Sequence, residues 1–211
     1  MKEKIAKLLL SVGAVVINPH EPFTWASGIK SPIYCDNRLT LTSPVERTEI
    51  EKALCEVIRS EYPQCQVIMG TSTAGIAHAA IVGHIMELPM GYVRSGAKGH
   101  GKQNQIEGRL EKDQKVVVIE DLISTAGSVL EVVDALRSAG ADVLGVASIF
   151  TYNMQKGKDR LKEANVKNIS LTNLDSLLET AAEEGKLEQS DIKRVLAFRD
   201  NPSDETWIKG N

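Results

Sequence analysis

The chain has 211 residues, with 25 basic and 28 acidic side chains and a formal net charge of −3. Its length is roughly 1.4 times a 150-residue domain, so one domain over 1–211 is expected, able to fold without a disulfide or metal staple. An apolar fraction of 42% and a charged fraction of 25% exclude disorder, collagen and coiled coil, and the near-even charge excludes a global attraction to nucleic acid.

Lys2, Lys4 and Lys7 lead into an apolar run that ends at Ile17. Glu3 among the lysines and Asn-Pro-His after the run argue against a signal peptide. Ile5, Leu8, Leu9 and Val12 fall on one face of a helix, and a strand is expected next. No run approaches the ~18 apolar residues of a membrane span. Residues 18–42 are rich in turn formers and predict small strands and turns, not a helix. Ser43-Pro44 predicts a capped helix start, with Ile50, Leu54, Val57 and Ile58 as its buried stripe.

From here strands and helices alternate. Val67–Met69 predicts a strand, Gly70–Gly75 a small-residue loop and Ile76–Met86 a helix; Met90–Val93 is the next strand. Val116–Ile119 predicts a strand covered on both faces. Residues 128–139 form a helix with Val129, Val132, Val133 and Leu136 inward, and Val143–Phe150 another strand. Residues 155–199 read as helix, strand 166–171 and two helices; 200–211 read as a polar tail. Such alternation implies an α/β fold with a central, mostly parallel sheet flanked by helices. Segment 94–110, with four glycines and no hydrophobic period, reads as a structureless loop of the kind that covers ligands.

Cys35, Cys55 and Cys65 match no metal or disulfide pattern, which points to a reducing, cytoplasmic location. His78 and His84 lie on an apolar segment at no ligand spacing and read as packed or surface helix residues.

The densest chemistry lies at Val116–Ser128, VVVIEDLISTAGS. A buried strand runs into Glu120 and Asp121, two apolar residues follow, and Ser124-Thr125-Ala126-Gly127-Ser128 enters a helix. Ligands of open α/β sheets bind beyond the carboxyl ends of strands. A small-residue turn into a helix presents free N–H groups to phosphate, and the two acids suit vicinal hydroxyls or a hydrated cation. The pocket should therefore hold a phosphorylated sugar. Helix capping alone accounts for the serines but not for two acids ending a buried strand. Gly127 is expected where the backbone approaches phosphate or is strained. A second cluster, Arg94-Ser95-Gly96-Ala97-Lys98-Gly99-His100-Gly101-Lys102, places cations on a glycine-rich loop suited to a polyphosphate.

The strand, acid pair and hydroxyl-rich loop resemble the phosphoribosyl pyrophosphate (PRPP) motif of type I phosphoribosyltransferases. Arg94, Lys98 and His100 resemble the catalytic loop of the orotate phosphoribosyltransferase family within them. Phe23-Thr24-Trp25-Ala26-Ser27-Gly28-Ile29-Lys30-Ser31-Pro32 resembles that family's F-T-x-x-S-G-x-x-S-P hood over orotate, and Met69–Gly75 stands at its pyrophosphate loop. The resemblance implies a type I phosphoribosyltransferase fold with a small N-terminal hood in about 1–42. It implies transfer of phosphoribosyl from PRPP to orotate, giving orotidine 5′-monophosphate and pyrophosphate, with Mg²⁺ as cofactor held mainly by PRPP. It also implies a homodimer in which 94–110 reaches the neighbouring site. Implied catalytic residues are Lys98 and Asp121. PRPP would be bound by Arg94, Lys98, His100, Glu120, Asp121, Leu122, Ile123, Ser124, Thr125, Ala126, Gly127 and Ser128, and orotate by Ser124, Lys30 and Tyr34.

The chain departs from the family at Ala26 and Ala74, where many members carry lysine, and at Ser95, where they carry a second basic residue. Thr151-Tyr152-Asn153-Met154 lacks the arginine that some members offer to orotate. Lys30, or N–H groups near Tyr34 and 71–75, could meet the orotate carboxylate instead. Two alternatives are a purine-type phosphoribosyltransferase, which leaves the hood motif unexplained, and a non-catalytic PRPP sensor, for which the chain shows no appended domain or basic excess.

Overall fold

A computed structural model describes residues 1–25, 28–96 and 105–209. Helix α1 (Lys2–Ser11) and strand β1 (Val15–Ile17) open the chain. The small strands β2 (Phe23–Thr24), β3 (Lys30–Ser31) and β4 (Ile33–Cys35) follow. They form two separate antiparallel pairs, β1 with β4 and β2 with β3. A 3-10 helix then covers Asn37–Thr42, where only strands and turns were expected. Asp36 starts it, its carboxylate accepting from the Arg38 N–H at 3.2 Å.

The remaining elements are α2 (Pro44–Glu61), β5 (Val67–Thr71), α3 (Ala74–Met86), β6 (Met90–Val93), β7 (Ile106–Glu107), β8 (Lys115–Ile123) and α4 (Gly127–Ser138). After these come β9 (Asp142–Thr151), α5 (Gln155–Glu163), β10 (Asn168–Asn173), α6 (Leu174–Glu183), α7 (Gln189–Asp200) and α8 (Thr206–Lys209). Ser43 stands at the N-cap of α2, but its hydroxyl bonds the Glu46 carboxylate instead of a backbone N–H. The expected stripe Ile50, Leu54, Val57 and Ile58 is buried. His78 is packed, its Nδ1 2.6 Å from Glu51 Oε1 in a fully buried pair, while His84 is exposed.

Among the described residues six strands form one sheet in the order β10-β9-β8-β5-β6-β7. All neighbours are parallel except β6 and β7. The α/β reading therefore holds. Segment 94–110 is not wholly structureless, because Ile106 and Glu107 pair with Val93 and Tyr92. One apolar layer joins α1, α2, α3, α6 and α7 to the sheet, and α4 and α5 cover the other face. The tail is not purely polar either: Trp207 on α8 is buried with its ring 5.8 Å from that of Phe198.

The connection from β5 through α3 runs toward β6, whereas β8 lies on the other side of β5 and the chain continues outward to β9 and β10. Strand order thus reverses between β5 and β8. Their carboxyl ends flank the crevice where open α/β sheets take ligands. No helix among the described residues is long and apolar enough to cross a membrane.

Candidate active site

Strand β8 extends past the expected Ile119 to Ile123, because Glu120 and Leu122 pair with Ser148 and Phe150 of β9. Both acids are therefore strand residues at the reversal point. Glu120 is 5% exposed. Its Oε1 accepts from the Thr71 hydroxyl at 2.8 Å and from the Asp121 N–H at 3.0 Å. Burial, reinforced by the neighbouring Asp121 carboxylate, pushes its pKa up to about 8. A carboxyl in a poorly solvated strand end beside a second carboxylate resists ionising, so Glu120 holds its proton more readily than a free glutamate does. Such a pair can both donate to and accept from a sugar diol.

Strand β5 ends at Thr71, and Ser72-Thr73 carries the chain into α3 through a cis peptide. Helix α3 starts at Ala74, two residues earlier than expected, so the 70–75 segment is a short bend into a helix. Gly75 is buried against β8: a Cβ there would lie 2.5 Å from both the Ile119 carbonyl oxygen and Thr71 Oγ1. Only glycine lets α3 approach the acid strand this closely. Ser72 Oγ accepts from the Ser95 N–H at 2.7 Å, tying this bend to the start of 94–110.

After Ile123 the chain turns through Ser124 and Thr125 into α4. The left-handed residue is Ala126, with φ 59°, and not Gly127, which is the first residue of the helix. Gly127 has room for a side chain, the nearest neighbour of an added Cβ being Arg160 Nη1 at 3.4 Å. Behind the turn, Arg160 donates to the Thr125 carbonyl at 3.3 Å. Among the described residues no side chain caps α4. Its leading N–H groups therefore offer donors to an anion.

A crevice of about 50 Å³ is lined by Thr71, Ser72, Arg94, Ser95 and Ser128, among others. It joins three separately predicted segments: the β5 bend, the cationic loop and the β8–α4 turn. Arg94 is half-buried, with Nη1 3.1 Å from Glu107 Oε1. Lys98 and His100 lie outside the described residues. Lys30 donates to Thr24 Oγ1 at 2.6 Å across the β2–β3 pair. Tyr34 is exposed on β4 and stacks at a tilt on Phe23, with ring centroids 5.7 Å apart. No hydrogen bond among the described residues joins Lys30 or Tyr34 to Ser124.

Two supporting contacts escaped the sequence reading. Thr71 supports Glu120, and Asn37 donates to the Asp121 backbone oxygen at 2.7 Å. Thr71 was within reach as the β-prone residue next to the glycine bend; Asn37 carried no local signal. Among the described residues no cluster of three or more His, Cys, Asp or Glu could hold a metal ion.

The family model described as phosphoribosyl transferase domain matches residues 42–177, more than half the chain. A curated relative from Bacillus cereus (strain G9842), orotate phosphoribosyltransferase, is 57% identical over 208 residues, 99% of each chain. The crystal structure of orotate phosphoribosyltransferase from Aeropyrum pernix superposes with a TM-score of 0.76 at 29% identity, covering 85% of this chain and 98% of that one. The structure of Leishmania donovani UMP synthase gives a TM-score of 0.79 at 27% identity, over 93% of this chain and 42% of that longer one.

Proposed function

The chain belongs to the orotate phosphoribosyltransferase family, and from that premise we propose that its β5–β8 crevice joins orotate to PRPP, releasing orotidine 5′-monophosphate and pyrophosphate. The observation that carries the reading is the meeting of an acid pair, Glu120 and Asp121, with an uncapped helix entry at the reversal point of a parallel sheet.

Each part has a task. The N–H groups and hydroxyls of Ser124–Ser128 receive the 5′-phosphate, and Asp121 and Glu120 hold the ribose hydroxyls. The Thr71–Gly75 bend and Arg94 face the pyrophosphate side, with Lys98 and His100 joining them. Orotate lies under the hood, near Lys30, Tyr34 and Ser124. A bond forms from orotate N1 to ribose C1 as the C1–O bond to pyrophosphate breaks; the electron pair leaves with pyrophosphate, which also takes up the proton that orotate N1 gives up. Positive charge then develops on the ribose ring beside Asp121, and negative charge on the leaving group beside the cations.

Mg²⁺ is the proposed cofactor. Magnesium retains several waters and binds through one or two carboxylates plus substrate phosphates. The two-carboxylate strand end at Glu120 and Asp121 suits that habit. When bound, the ion screens charge on the pyrophosphate. A homodimer completes the proposal, with 94–110 serving the neighbouring site. So does a cytoplasmic location, in keeping with three free cysteines.

The test is an absorbance assay with PRPP, Mg²⁺ and one base at a time. The reading expects consumption of orotate, with uracil poorer by roughly 10⁴, because a site built for a carboxylate leaves polar groups unpaired without one. Turnover of adenine or hypoxanthine in place of orotate would reassign the enzyme.

A further inference from the structure

Strand β8 loses its β5 partner just where the acids begin. The last paired residues are Gly70 and Ile119. Backbone groups of a strand point to alternate edges with period two. The Ile119 carbonyl faces the β5 edge, where it takes the Thr71 hydroxyl at 3.3 Å. The Asp121 carbonyl, two residues on, faces the same edge, but β5 has already ended at Thr71. Asn37 fills the gap: it is fully buried, and its Nδ2 donates to that carbonyl at 2.7 Å. A side-chain amide thus stands in for the missing ladder donor.

The same amide also faces the other way. Asn37 Oδ1 accepts from Cys35 Sγ at 3.4 Å. Cys35 ends β4, directly after Tyr34, and Asn37 opens the 3-10 helix that leaves the hood. Base-side and sugar-side elements, 84 residues apart in sequence, therefore meet on one buried side chain. We propose that Asn37 is a positioning residue, which fixes the backbone of Asp121 relative to β4 so that base and ribose are held in register. The proposal rests on the PRPP-site reading above and adds to it a residue that touches neither substrate.

Asn37→Ala should lower kcat/KM on the order of 10²-fold, the scale expected when a catalytic group is displaced without being removed. A double-mutant cycle on PRPP affinity, measured by calorimetry with Asp121→Asn, separates positioning from general stability. If Asn37 acts through Asp121, the Asp121→Asn loss should be much smaller in the Asn37→Ala background than in the wild type. Independent, additive losses would overturn the inference while leaving the PRPP site intact. An Asp121→Asn protein that binds PRPP as wild type does would overturn the site reading instead. Should Asn37→Ala not fold, the wild-type protein supplies the test. The Asn37 side-chain amide resonances should shift when PRPP is titrated in, and resonances that stay unmoved at saturation would contradict the proposal.

Discussion

The Thr71 hydroxyl donates to Glu120 Oε1 at 2.8 Å, so the last residue of β5 supports the buried acid of β8. The bond spans the point where the two strands part. Thr71 is 3% exposed, and its hydroxyl also contacts the Ile119 carbonyl at 3.3 Å. Thr71→Val keeps the shape and removes the donor. Denaturant unfolding should show a loss of about 1–3 kcal/mol, the cost of a buried polar group left without its partner. Thr71→Ser should recover most of it. Equal stability of the valine protein would mean that the bond contributes nothing.

The raised pKa of Glu120, pushed up to about 8 by burial and then by Asp121, fixes a sign for pH dependence. Between its ordinary value of 4.5 and about 8 the folded protein holds a proton that the unfolded chain has lost. Stability of the ligand-free protein therefore falls as pH rises through this window. Glu120→Gln should flatten that slope. Glu51, also raised by burial, contributes in the same sense and remains in both proteins. Unfolding midpoints at pH 5 and pH 8 decide it: an equal drop in wild type and Glu120→Gln would assign the slope elsewhere.

At the β8–α4 turn, proposed to receive the 5′-phosphate, the strained residue is Ala126, with φ 59°. Glycine adopts this conformation freely, and a β-branched residue adopts it poorly. Ala126→Gly should bind PRPP nearly as wild type does. Ala126→Val should lose affinity by about tenfold or more, as a distorted cradle presents its N–H groups badly, a loss of about 1.4 kcal/mol. Gly127→Val should also weaken binding by crowding the cradle, with the fold intact because its Cβ has space. Calorimetry showing wild-type affinity in both folded valine variants would remove the turn from the phosphate site.

Complementation tests the proposed dimer. Lys98→Ala and Asp121→Asn should each be nearly inactive. In a mixed dimer, one site would hold both intact residues and the other neither. Subunit exchange should then restore up to about half the wild-type activity per heterodimer, by the counting of an isologous pair. Verified heterodimers as inactive as their parents would place Lys98 in its own subunit's site or outside the chemistry.

The legible parts of the fold were those written in consecutive residues. Four apolar residues at Val116–Ile119 announced β8, and the acids and hydroxyls after them marked the candidate site. What escaped depended on distant partners. The strand continues through Glu120 and Asp121 because β9 lies alongside, although neither acid favours a strand. Residues 37–42, NRLTLT, alternate like a strand, yet they coil into a 3-10 helix with Asn37 anchored on Asp121. The aromatic support beside the β2–β3 pair was equally hidden. Trp25 sits edge-on to Phe198 at 5.6 Å and 5.8 Å from Tyr152, residues far along the chain. Trp207 entered the same cluster from a segment whose polar composition concealed one buried ring.

The most direct measurement is a crystal structure of the protein with PRPP. The account predicts the 5′-phosphate on the N–H groups of residues 124–128 and the ribose diol within hydrogen-bond reach of Glu120 and Asp121. A phosphoribosyl group bound away from the β5–β8 crevice, with the acid pair untouched, would contradict it.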